Sequence, residues 1–212
     1  MFPRTIARGT RPLPGSCYDA GGGARHCRHS GESMAAPAAG VAYWLDRDNR
    51  IVRVSGPWDQ FALANDGASA TASHVVGRPI RDFVTGDETR MWLDAVLDLA
   101  RAGGPPVVRS YRCDSPDTKR YMQMRIEAGV AGTLCLRHKM TRAEHTIPIR
   151  VRFGSLVVPQ AVARCSICNR FRCDEAWVEL DDPRAKRLAG TTGEVVVFYT
   201  VCDTCREPGR AT

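Results

Sequence analysis

No stretch of this sequence is long and apolar enough to cross a membrane. Its longest apolar runs, such as Val195–Phe198, span a few residues, against the roughly 18 that a spanning helix requires. Motifs that carry catalysis are missing as well. There is no Gly-rich phosphate loop, no Gly-x-Ser-x-Gly elbow and no His-Glu-x-x-His pair. Asp114 and Asp117 belong to a Cys-Asp-Ser-Pro-Asp loop, where Asx-turn geometry accounts for them. A non-catalytic protein is therefore expected. The N-terminus has basic residues but no apolar core ahead of a small-residue cleavage site, so no secretory signal is expected, and the expected compartment is the cytoplasm.

A concentrated block of one charge is also lacking. The net charge is +7, but it is spread along the chain. Residues 1–33 carry five Arg against Asp19 and Glu32. Residues 34–140 carry fourteen basic and twelve acidic side chains, and residues 141–212 carry eleven and nine. Spread in this way, the excess reads as a solvated surface rather than a DNA footprint.

What remains is the balance of a soluble globular chain, with 43% hydrophobic and 25% charged residues over 212 positions. Residues 1–40 form an expected disordered extension, with Gly21-Gly22-Gly23, several Pro and no apolar periodicity. Met34 is a candidate alternative start. His26, Cys27 and His29 cluster there, but accidentally, since no fold positions them. From Val41 the texture changes. Val41–Leu45 and Arg50–Val54 are β-prone runs around the Asp46–Asn49 turn, which predicts a hairpin. Pro57 suits the first turn of a helix through Trp58 and Phe61. Residues 75–84 predict a turn and a short helix.

Asp87, as cap, and Glu88 open a predicted helix to Ala102, with Met91, Trp92, Ala95, Val96 and Leu99 as its apolar face. Three strands are predicted next, over 107–113, 120–127 and 130–140. In the second, Met122, Met124 and Ile126 alternate with Tyr121, Gln123, Arg125 and Glu127, the pattern of a half-covered antiparallel strand. Cys113 and Cys135 lie on these strands as expected buried apolar residues. The order predicts an α+β domain with one five-stranded antiparallel sheet and a helical insert.

This order resembles the PAS fold over residues 41–140. Val76-Gly77-Arg78-Pro79 with Ile80 and Phe83 is similar to that family's turn and short helix, and Gly86-Asp87 sits ahead of the long connecting helix. The resemblance implies a sensor or dimerisation domain, which in some members holds haem, flavin or a metabolite. Haem binders of the family use a His on the long helix, and 87–102 has none. Flavin photosensors use an Asn-Cys-Arg word that the insert lacks. The ligand is thus unknown, and His74 and His138 are the remaining iron candidates. A lone His is more often a hydrogen-bonded structural residue.

Residues 141–163 read as a connector containing a strand, Ile147–Phe153, expected to extend the first sheet or pair with a second copy. The remaining segment, 164–212, contains Cys165-Ser166-Ile167-Cys168 and Cys202-Asp203-Thr204-Cys205. Each pair supplies two soft ligands from one turn, and together they complete a tetrahedral set, so a structural zinc held by Cys165, Cys168, Cys202 and Cys205 is expected. A redox role would need a βαβ context that is absent. A metal also explains how so short a segment folds as an independent, zinc-ribbon-like module. Cys173 is read as a neighbour of the site, and Trp177 as the centre of an apolar cluster with Phe171, Leu180 and Phe198.

The segment resembles a C-terminal four-cysteine module of bacterial signalling proteins, departing from its pattern at Asn169 and Tyr199. That resemblance implies a non-catalytic sensor or adaptor in signal transduction, acting as a homodimer on an unknown signalling partner. Two alternatives stay open. One is a nucleic-acid-binding regulator using Arg164, Arg170, Arg172, Arg184, Lys186 and Arg187. The other is a haem or redox PAS sensor.

Overall fold

The computed structural model describes residues 40–64, 67–115, 117–146, 150–154, 161–188, 190 and 193–207. The N-terminal extension with His26, Cys27 and His29 lies outside the described residues, as do Ile147, Pro148 and Ile149.

Strands β1 (Val41–Leu45) and β2 (Ile51–Ser55) form the expected hairpin. The Asp46 carboxylate accepts the N–H groups of Asp48 and Arg50 at 2.9 and 2.8 Å. Asn49 takes a left-handed φ of 60°, which Asn tolerates better than most side chains. Helices α1 (Trp58–Leu63), α2 (Ala72–Val75) and α3 (Asp87–Arg101) follow. Strands β3 (Val107–Arg112), β4 (Thr118–Ala128) and β5 (Leu134–His145) complete a five-stranded antiparallel sheet of order β2-β1-β5-β4-β3. The chain is α+β, as the pattern predicts. Residues Val130–Gly132 are a helical turn and not the start of β5.

Helix α3 buries a different face from the one expected. Thr89, Leu93, Val96, Leu97 and Ala100 are buried, whereas Met91 and Leu99 are 68% and 50% exposed. Apolar residues occur almost all round this helix, so hydrophobicity alone does not pick out the buried face. The cap also differs. Gly86 occupies the N-cap without a side-chain bond, and Asp87 is the first helical residue, accepting from Arg90 at 2.8 Å.

The larger departure lies beyond residue 146. Strand β6 (Arg150–Phe153) neither extends the first sheet nor stands free. It pairs in parallel with β10 (Glu194–Thr200). With β7 (Val162–Cys165), β8 (Phe171–Cys173) and β9 (Ala176–Val178), these strands make a second five-stranded sheet, order β6-β10-β7-β8-β9. The segment expected as connector therefore belongs to the same sheet as the cysteine region, and a short helix, α4 (Pro183–Leu188), lies between β9 and β10. Phe171, Cys173, Val178, Ala185, Val195 and Val197 form its own small core. Trp177 is not their centre. It is half-buried against the first core, while its expected companions Phe171 and Leu180 belong to the second.

Nor is the cysteine region independent. Cys165, Ile167, Cys168, Val201, Cys202 and Cys205 share one continuous core with Tyr43, Leu93, Tyr111 and Met124 of the first sheet and its helices. Gly86 sits at the seam. Its φ is +89°, and a Cβ there would lie 2.9 Å from the Tyr199 carbonyl oxygen. Both the conformation and the approach of α3 to β10 require glycine at this point. Gly86→Ala should therefore cost about 1–3 kcal/mol, read as a lower urea midpoint with an unchanged slope. An unaltered midpoint would show that this seam carries little stability.

Candidate metal centre

Parallel pairing of β7 with β10 places Thr200 opposite Cys165, so both strands end at the same edge of the second sheet. Each then turns. After β7, the Cys165 carbonyl accepts the Asn169 N–H at 2.9 Å, and the Cys165 N–H donates to the Arg170 carbonyl at 2.9 Å. Asn169 closes this turn with φ 62°, a left-handed conformation that Asn adopts more readily than most side chains. After β10, Cys202 caps the single turn α5 (Asp203–Arg206), and its carbonyl accepts the N–H groups of Cys205 and Arg206 at 2.9 and 3.0 Å.

The two turns bring all four expected ligands together. The sulfurs of Cys165, Cys168, Cys202 and Cys205 lie within 4.8 Å of one another, and all four residues are buried. The Cys168 and Cys202 sulfurs lie 3.8 Å apart. A tetrahedral ion with metal–sulfur bonds of about 2.3 Å needs sulfur–sulfur edges of about 3.8 Å, so a small contraction fits the donor set to such an ion. The cluster is electrostatically unfinished as a set of thiols. Cys165 is driven far below the ordinary thiol range because the Cys168, Cys202 and Cys205 thiols donate to it. The same contacts push Cys168 and Cys205 up. Four thiolates at these separations call for a shared cation. The Cys202 N–H also donates to the Cys165 sulfur at 3.4 Å, an outer-shell contact suited to a metal-bound thiolate. All four donors are protein sulfurs, so a four-coordinate ion has no open position for water.

Around the cluster lies a set of contacts that pattern reading missed. Thr89 on α3, fully buried, donates from its hydroxyl to Ser166 Oγ at 2.7 Å, and Ser166 donates on to the Thr200 carbonyl at 3.1 Å. Trp92 Nε1 donates to the Cys205 carbonyl at 3.2 Å. The Arg112 N–H donates to the Ile167 carbonyl at 2.7 Å. Glu88 accepts from the Thr200 hydroxyl and from Arg206, at 2.6 Å in the latter case. Thr89 was the available signal, a polar residue inside an apolar helical stripe.

Buried charges reinforce the junction. The Arg112 side chain, 6% exposed, pairs with Asp114 at 2.6 Å and Glu179 at 2.5 Å. Lys119, 8% exposed, reaches Glu179 and Asp181 at 3.6 and 3.2 Å, and Arg164 lies 3.8 Å from Asp114. Burial tends to raise the Glu179 carboxyl, but the Arg112 and Arg170 bonds and the Lys119 charge outweigh it and hold the group below the usual range.

The residues named for the alternative readings are placed differently. Arg164 is buried. Arg170 is paired with Glu179, Arg172 with Glu175, and Arg184 with Asp182. Much of the basic set expected to face phosphates is thus committed within the second sheet. His74 accepts or donates at Thr71 Oγ1, 2.7 Å away, on the surface. His138 is a core histidine, its Nδ1 2.9 Å from the Tyr111 hydroxyl and its ring stacked on Tyr43 at 5.3 Å. The space beside them, lined by Tyr43, Leu93, Tyr111, Met124 and Ile167, is about 10 Å³, enough for about one water and not for a macrocycle. Cys173 lies in the second core, apart from the four-sulfur group. Cys113 and Cys135 are half-buried, more exposed than expected. Among the described residues no helix is long and apolar enough to cross a membrane.

No protein-family model and no curated protein matches this chain.

Removing the Glu179 charge leaves Arg112 and Lys119 short of a partner in a buried network. Glu179→Gln should cost about 2 kcal/mol at neutral pH. Because the folded carboxyl is depressed, its contribution is present above the unfolded pKa and is lost as pH falls through the folded one. The stability gap between wild type and variant, measured by urea melts, should therefore shrink at acid pH. A gap independent of pH would exclude the ionised carboxylate as its source.

Proposed function

We infer that the chain is a non-catalytic signalling adaptor, in which a PAS-type domain is joined rigidly to a second sheet by a structural zinc site. The observation that carries this reading is the buried four-sulfur cluster, which belongs to the same core as the first sheet. Zinc is the proposed ion because four thiolates in a closed tetrahedral set suit it, and such sites stabilise folds rather than perform chemistry. A loaded site would carry a formal charge of −2, and the Arg170 guanidinium feels the Cys168 and Cys202 sulfurs. The strand order β2-β1-β5-β4-β3, with helices inserted between β2 and β3, supports the PAS reading. A thiolate site of this kind suits a reducing compartment.

Elemental analysis of reduced, full-length protein should give one zinc per chain, and Cys168→Ser or Cys205→Ser should abolish it. Because the site shares the first core, metal removal should lower the melting of the whole chain in one transition, by more than about 10 °C. Metal-free wild-type protein with an unshifted melting curve would overturn the structural zinc reading. Two separated transitions, the first sheet unaffected, would instead overturn the shared-core account.

A further inference from the structure

The outer face of the first sheet carries more positive than negative charge. Register places Arg53 opposite Trp44, Trp44 opposite Cys135, and Arg137 opposite Arg125. Cys135, Arg137 and Lys139 alternate along β5 and so share that face. Arg53, Arg125, Arg137 and Lys139 are exposed. On these rows the acidic residue is Glu127, which bonds Arg125 at 2.9 Å and approaches Arg137 at 3.6 Å. The opposition of Arg125 and Arg137 is a cost to the sheet, since like charges directly across an antiparallel pair destabilise it. Glu127 offsets that cost only in part, since one carboxylate serves two guanidiniums, and Lys139 and Arg53 beside the pair leave the face with a positive excess.

We propose that this face docks an acidic, extended segment of a partner protein. Charge complementarity selects the occupant. A second copy meeting face to face would set these arginines against each other, and the basic stretch 1–33 of this chain would be repelled in the same way. Stacked bases need a bare aromatic plane. Here the Arg53 guanidinium already lies over Trp44 at 3.6 Å, and Arg112 and Arg142 lie over Tyr121 at 5.3 and 4.0 Å. Arg112 and Arg142 already meet carboxylates of this chain, so an incoming acidic segment would meet Arg53, Arg125, Arg137 and Lys139. Arg137 and Lys139 stand about 6.8 Å apart along β5, which matches alternate side chains of an extended acidic peptide. This deepens the adaptor reading and rests on it for the choice of a protein partner.

The test uses the full, zinc-analysed chain with a labelled peptide of alternating Glu and Thr, about twelve residues long. A single-stranded oligonucleotide of equal charge is the competing probe. Anisotropy should show peptide binding that weakens with salt and falls at least about tenfold in Arg125→Glu/Arg137→Glu. Arg152→Glu on the second sheet should leave it unchanged. Because the double reversal could unbalance the sheet, Lys139→Gln is read alongside, with the expected loss being smaller and the melting curve unaltered. Equal binding by both variants, tighter binding of the oligonucleotide, or self-association through this face in sedimentation would each overturn the proposal. Zinc measured on the same samples separates the two readings. Lost binding with zinc intact bears on this face, and absent zinc with binding intact bears on the metal centre.

Discussion

Two parallel strands ending at the same edge set the rest of this architecture. β7 and β10 are more than thirty residues apart in sequence, yet their pairing aligns Thr200 with Cys165. Each Cys-x-x-Cys turn then needs only local backbone hydrogen bonds to hold two sulfurs. Sheet register supplies the rest of the geometry, by bringing turn to turn. A zinc-finger-sized segment relies on the ion to create its fold. Here a sheet and its core also fix the turns, and the ion would complete a site whose donors already converge.

The environment of that site combines apolar burial with a dense polar seam. Cys165, Cys168 and Ile167 pack into the first core, which excludes water from the sulfurs and strengthens every charge nearby. Thr89, Ser166, Trp92 and the Arg112 backbone then satisfy polar groups that burial would leave expensive. The Arg112–Asp114–Glu179–Lys119 network is balanced rather than strongly stabilising, because desolvation consumes much of its Coulomb energy. Its contribution is geometric. Apolar contacts tolerate sliding, whereas the directional Arg112–Glu179 and Lys119–Asp181 pairs fix how the second sheet sits against β3 and β4.

Much of this was legible from residue order. The opening hairpin, the long helix, the alternating Met122–Met124–Ile126 strand and the four converging cysteines followed from periodicity and spacing. What escaped depends on tertiary partners. The apolar face of α3 was misread because a helix hydrophobic nearly all round offers no unique stripe, and only packing decides that Leu93 is in and Met91 out. The second sheet escaped because β8 and β9 are three residues long, too short for periodicity to show, and because the alternation over 147–153 marks a strand without naming its partner. Trp177 was assigned to the wrong cluster because it neighbours Phe171 across strands without sharing its side of the sheet. His138 in the core and Arg164 beneath Phe171 were equally hidden, since nothing in a local window signals that a polar residue will be enclosed.

The position of β10 in the chain has a consequence for synthesis. The first sheet is complete once β5 has emerged at His145 and closed on β1, and its contacts are all antiparallel. The second sheet receives an inner strand last, at Glu194–Thr200, with β6 and β7 waiting on either side. Until that strand leaves the ribosome, Cys165 and Cys168 have no counterpart turn, and the Thr89 and Trp92 side of α3 has nothing to cover it. The nascent chain therefore passes through an interval in which its paired cysteines and a strip of its core are open at once. Folding of this protein is ordered in time by topology, and the four sulfurs converge only after β10 has emerged.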